Sequence, residues 1–136
     1  MKPWTKWRQL EGLDFTIVPE TPGAYVIATR SAIHRAIGID PDGVLHIGES
    51  DNLRSRIRAF WNCASQLGTQ GHMAGWRYQT YRMNKHFPLN DLRVKWCATR
   101  TKKLAYALEG GRLKKYFADH LELPPLNLKF NWSEEK

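Results

Sequence analysis

The stretch GVLHIGESDNLRSRIRAFW, residues 43–61, constrains the fold more than any other part of this chain. It begins as an apolar strand, VLHIG at 44–48, directly after the turn DPDG at 40–43 with proline at its second position. The turn lacks the further spaced carboxylates that a calcium loop needs. Ser50, Asp51 and Asn52 are each good N-caps, and the periodicity behind them predicts a helix to about Gln66. Upstream, TPGAYVIATR (21–30) opens with a Pro-Gly turn and continues with β-branched and aromatic residues. Strand, turn and strand together predict an antiparallel hairpin, with residues 31–40 free to extend either arm.

The rest of the chain supplies partners for this unit. GTQG (68–71) breaks the first helix, and a second is expected over 72–86, ended by Pro88. LRVKWCA (92–98) alternates apolar and charged residues, the signature of a third strand with one buried face. A long helix follows from about Thr101 to His120. Gly110 and Gly111 inside it cost about 2 kcal/mol against alanine, which points to a close backbone approach. The class is α+β, a small sheet with helices packed on it. Residues 1–20 read as a short leading helix or arm, 21–130 as the domain, and 131–136 as a tail.

Composition narrows the partners. Twenty-one Lys and Arg against thirteen Asp and Glu leave a net charge of +8 on 136 residues. Such an excess suits polyanions, nucleic acid or an acidic membrane face, and equally serves solubility. Aromatics interleave with bases, as in GWRYQTYRMNKHF (75–87), which suits contact with bases and phosphates, although most aromatics pack cores. Cys63 and Cys97 are too far apart for a CxxC site, and two thiols suit a reducing compartment. No apolar leader or run of membrane-spanning length occurs, so a cytoplasmic protein is expected. No P-loop, dinucleotide fingerprint or nucleophile elbow is present.

Two polar residues fall where apolar ones belong. On a helical wheel Leu53, Ile57, Phe60, Ala64 and Leu67 form one stripe. Arg56 lies at its rim, roughly 70° from the centre, while Arg58 lies roughly 130° away and Arg54 is intermediate. A lone arginine there lays its stem on the core and keeps its head wet. In the last helix Ala105, Tyr106, Leu113, Tyr116 and Phe117 form the stripe, with Glu109 in its middle. A buried carboxylate must be neutralised, paired or bound to a cation. Periodicity alone slightly favours a bridge to Arg56 over a divalent metal on Glu109 with Arg56 turned to a phosphate.

These residues also fit a family pattern. GAY (23–25) on the first strand, HIG (46–48) on the second, Arg56 eight residues after Gly48, then Glu109 and the Asn127 of LPPLN resemble the GIY-YIG nuclease superfamily. The resemblance runs from about Pro22 to Asn127. It implies a central three-stranded antiparallel sheet flanked by helices, and one divalent cation, Mg²⁺ or Mn²⁺, held by Glu109. It further implies Arg56 as the clamp on phosphate charge, Tyr25 as a hydrogen-bonding or general-base group, and Asn127 as a support. Where the family carries a second tyrosine this chain has His46, which could take a proton near neutral pH or mark a site that has lost catalysis. Family members often have a histidine near the site in the region of His72, at the start of the second helix, where a surface or capping role is equally open.

The resemblance therefore implies a metal-dependent endonuclease acting on nucleic acid, DNA before RNA. Arg54, Arg58, His72, Arg77, Arg82 and Lys85 are the residues expected to hold substrate, mostly through phosphates, which carry little sequence information. Specificity would then come from loops, self-association or a partner chain. The alternatives are a noncatalytic nucleic-acid-binding module on the same fold and, third, a protein-interaction factor that borrows it.

Overall fold

The computed structural model describes residues 3–131. Its strands are β1 (Arg8–Gln9), β2 (Gly23–Ala28), β3 (Ile33–His34), β4 (Ile39–Asp40), β5 (Val44–Ser50) and β6 (Arg93–Ala98). Its α-helices are α1 (Leu53–Ser65), α2 (Met73–Thr80) and α3 (Lys102–His120). The main sheet is antiparallel, in the order β1-β6-β2-β5, and β3 pairs with β4 in a separate small ribbon. The expected hairpin is present as β2 and β5, and β6 joins the other side of β2.

The sheet has four strands rather than three, because Arg8–Gln9 of the leading segment form an edge strand; a single turn of 3₁₀ helix follows at Phe15–Ile17. Cation–π packing helps to hold it there. Arg93 and Lys95, on one face of β6, lie 4.4 and 4.6 Å from the ring centre of Trp7, and Arg112 lies 4.1 Å from that of Trp4. Part of the aromatic–basic interleaving is thus spent inside the fold.

All six residues of β2 are buried, since both faces of the sheet are covered. Tyr25 and Ile27 meet the core under α1 and α2, and Val26 packs with Leu113 and Tyr116 of α3. The two helices on the first face approach closely at Gly75, where a Cβ would come within 2.7 Å of the Phe60 carbonyl oxygen. No such approach is found at Gly111, where a Cβ would meet nothing within 4 Å.

Several boundaries differ from expectation. The first helix ends at Ser65, leaving Leu67 86% exposed, and Cys63 takes its place in the buried stripe. The second helix is shorter than 72–86. It stops at Thr80, where Arg82 adopts a left-handed conformation, and single turns of 3₁₀ helix follow at Met83–Lys85 and Leu89–Asp91. On α3, Tyr106 and Phe117 are exposed, and Ala107, Gly110 and His120 are buried beside Ala105, Leu113 and Tyr116. Asn131, the first residue of the expected tail, is buried, and 132–136 lie outside the described residues.

Candidate active site

The cleft forms around edge strand β5, and one irregularity of that strand sets its chemistry. Ile27 pairs with His46 and Ala28 with Val44, which leaves Leu45 without an opposite partner. Leu45 joins the core under α1, and His46 stacks on Phe60 of the same helix with planes 7° apart. Two successive side chains therefore fall on one face, as a β-bulge allows. Gly48 is opposite Tyr25, and the phenol lies across it. A Cβ at Gly48 would sit 2.5 Å from Tyr25 Cζ and Oη.

Tyr25 is thereby brought between two imidazoles. Its Oη lies 2.7 Å from His72 Nε2 and 3.3 Å from His46 Nε2. His72 is the N-cap of α2, and its Nδ1 accepts the Gly75 N–H at 3.3 Å. A backbone N–H can only donate, so neutral His72 carries its proton on Nε2 and donates it to Tyr25. His46 Nδ1 is buried with no partner among the described residues. An orphaned acceptor is tolerated better than an orphaned N–H, which assigns the His46 proton to Nε2 and leaves two N–H donors on the phenol oxygen. Burial, with Arg77 and Arg56 nearby, pushes His46 down to about 3. Burial, then His46, Arg56 and Arg77, pushes His72 down to about 2. Both rings are neutral at physiological pH. Burial raises the Tyr25 phenol and Arg56 opposes that rise.

Arg56 donates from Nη1 to the Gly71 carbonyl at 3.0 Å, which fixes its head at the cleft. It makes no bridge to Glu109. Contrary to the periodicity argument, the four ion pairs among the described residues are Arg35–Glu122, Arg54–Glu20, Lys102–Glu49 and Lys115–Asp119. Glu109 instead accepts one hydrogen bond from Asn131 Nδ2 at 3.0 Å. Burial raises its carboxyl to about 7, against the lowering by Asn131 and by the more distant Lys102 and Lys129.

Tyr25, His46, Arg56, His72, Arg77, Glu109 and Asn127 all line one open cleft of about 890 Å³. Asn127 supports its wall: Oδ1 accepts from Ile47 N and Nδ2 donates to Ile47 O, both at 2.9 Å. Arg77 braces the same segment by donating to the Leu126 carbonyl. The other expected phosphate contacts lie elsewhere. Arg54 is taken up by Val18 O, Thr16 O and the Glu20 carboxylate, bracing the chain ahead of α1. Arg58 lies over Phe15, and Arg82 and Lys85 border a separate depression with Ala64 and Tyr78. Sequence reasoning missed Glu49, Lys102, Lys129 and Asn131, which also line the cleft. Strand alternation after Gly48 could have placed Glu49, whereas no local pattern signals Asn131.

No group of three His, Cys, Asp or Glu among the described residues can cage a metal. The donor set nonetheless fits a hard, water-keeping ion. Mg²⁺ and similar cations bind through one or two carboxylates plus water and phosphate oxygens, and Glu109 is a cleft carboxylate with no ion pair among the described residues.

No protein-family model matches the sequence, and no curated protein does. Among solved structures, the chain is similar to the GIY-YIG N-terminal endonuclease domain of UvrC from Thermotoga maritima, in a point mutant bound to its catalytic divalent cation. The match covers 92% of this chain and 100% of that one, with a TM-score of 0.51 and 18% sequence identity. The chain has the GIY-YIG endonuclease-domain fold. At this identity the likeness is one of fold.

Proposed function

We propose that this protein is a divalent-metal-dependent endonuclease that hydrolyses phosphodiester bonds in nucleic acid, with DNA the first substrate to test. The observation that carries the reading is the grouping, in one cleft, of a phenol held by two neutral imidazoles, an arginine head and an uncompensated carboxylate.

Each group has a distinct task. Arg56 binds the scissile phosphate through two N–H groups and offsets the charge that develops on it. Glu109 holds the cation, Mg²⁺ or Mn²⁺, which supplies Lewis-acid charge when bound. Tyr25 would accept the proton as its phenolate, a form that the N–H groups of His72 and His46 and the nearby Arg56 favour and that burial opposes. His46 thus replaces the family's second tyrosine as a donor to Tyr25, not as the base. Arg77, Lys102 and Lys129 add positive charge along the substrate path. Cytoplasmic placement and a partner or second copy that supplies specificity belong to the same reading.

The test is cleavage of supercoiled, branched and single-stranded DNA and of RNA, each in EDTA, Mg²⁺ or Mn²⁺. Arg56→Ala and Glu109→Gln should each lower the rate by about 10²–10³ or more. Cutting that continues in Glu109→Gln refutes the site assignment, and salt-sensitive binding without any cutting refutes the nuclease reading in favour of a binding module.

A further inference from the structure

Beside the cleft lies a second cavity that the chemistry above does not use. It measures about 470 Å³, within the range of small-molecule pockets, and is lined by Arg56, Gln70, Gly71, His72, Met73 and Trp76. Arg56, His72 and Met73 also line the main cleft, so the two spaces adjoin. The walls of the smaller one are apolar and open. Met73 is 62% exposed, and Trp76 meets the exposed Tyr81 edge-on at 6.3 Å. The Arg56–Gly71 hydrogen bond fixes the cation where the two cavities join.

A ligand for this junction must carry an anion for Arg56 and, one short linker away, a flat apolar face for Trp76 and Met73. A nucleotide within a chain has that shape, with phosphate, sugar and base in sequence. A base stacked within a duplex cannot offer its faces, whereas an unpaired or turned-out base can. Gln70 adds an amide able to donate to and accept from a base edge.

We infer that this cavity is a nucleobase pocket, taking one unstacked base next to the phosphate held by Arg56. The protein therefore prefers nucleic acid with a single-stranded, flapped or mismatched nucleotide at the cutting site. The inference rests on the nuclease reading for the place of the phosphate.

The test uses the full chain in EDTA, with oligonucleotides carrying one 2-aminopurine at an unpaired position that is moved stepwise along the strand. Aminopurine fluorescence should be quenched at one position on binding. The quench should be lost in Trp76→Ala and weakened in Met73→Ala, a change at an exposed site. Trp76→Ala should bind the unpaired oligonucleotide about 5- to 100-fold more weakly, with a smaller loss for a fully paired one. Binding without a quench at any position, or a quench that survives both variants, overturns the pocket. If metal-dependent cleavage persists in that case, only the pocket falls. If no oligonucleotide binds, the pocket and the nuclease reading fall together.

Discussion

Replacing Glu109 by glutamine should stabilise the metal-free protein above neutral pH. Glu109 is half-buried, accepts one hydrogen bond from Asn131 and, among the described residues, has no cation in direct contact. Burial moves its carboxyl from 4.5 to about 7. Between those values the folded chain keeps a proton that the unfolded chain has lost. The resulting stability is complete below 4.5, declines as pH rises, and is gone above about 7. At about 1.4 kcal/mol per pH unit, that interval bounds the effect at about 3 kcal/mol. The carboxyl opens on cleft water, so about 2 kcal/mol is expected after screening.

Glutamine keeps the shape and the acceptor for Asn131 and never ionises. The stability gap between Glu109→Gln and wild type should therefore be near zero at pH 4.5 and reach about 2 kcal/mol at pH 8, by urea unfolding in EDTA. His46 and His72 act in the opposite sense, since their lowered values remove stability as pH falls below 6.5. They are common to both proteins and cancel in the difference. Excess Mg²⁺ or Mn²⁺ should raise the wild type and leave the variant unchanged. A gap that is constant with pH, or larger in acid, would show that Glu109 is not an uncompensated buried carboxylate.

Gly48→Ala places a methyl group 2.5 Å from the Tyr25 ring, so it should cost about 1–3 kcal/mol in thermal unfolding and suppress cleavage by displacing the phenol. Tyr25→Phe keeps the ring but leaves two imidazole N–H groups without an acceptor, and should lower kcat by about 10²–10³ with KM little changed. His72→Ala should lose about 1 kcal/mol of helix cap; His72→Asn should recover that stability without recovering rate, since asparagine caps the helix but does not reproduce the Nε2–H to Tyr25 bond. Arg54→Ala should destabilise the fold through three lost contacts and leave the salt dependence of oligonucleotide binding unchanged, because this arginine is spent on the chain ahead of α1.

How far the sequence revealed the site depended on whether each residue's place was set locally. The caps of α1 and α3 and the rim position of Arg56 follow from helical geometry, and Asn52, Thr101 and Arg56 are where that geometry puts them. The order of GAY, HIG, Arg56 and Glu109 was likewise legible, and Tyr25, His46, Gly48, Arg56 and Glu109 line one cleft. Surface arginines were not, because exposure on a wheel does not tell solvent from a neighbouring loop. Arg54 satisfies the same pattern as a phosphate contact and yet braces Thr16, Val18 and Glu20. Asn131 was out of reach for the opposite reason: only the path of the chain after α3 brings it to Glu109, 22 residues away.

His46 shows how the two kinds of information combine. Strict alternation from Leu45 would turn the imidazole away from α1, toward the face that Val26 and α3 occupy. The bulge opposite Ile27 and Ala28 turns it back, onto Phe60 and within reach of Tyr25. A tyrosine at position 46 would bring a second hydroxyl to this floor. The histidine brings an N–H donor instead, on a ring that burial keeps neutral. On the proposed nuclease reading, this departure from the GIY-YIG pattern changes which group holds the phenol oxygen of Tyr25 and leaves that oxygen as the proton acceptor. His46→Gln, which can still present an N–H from the same strand position, should consequently retain more cleavage than His46→Leu, and equal loss in the two would return the proton to the imidazole.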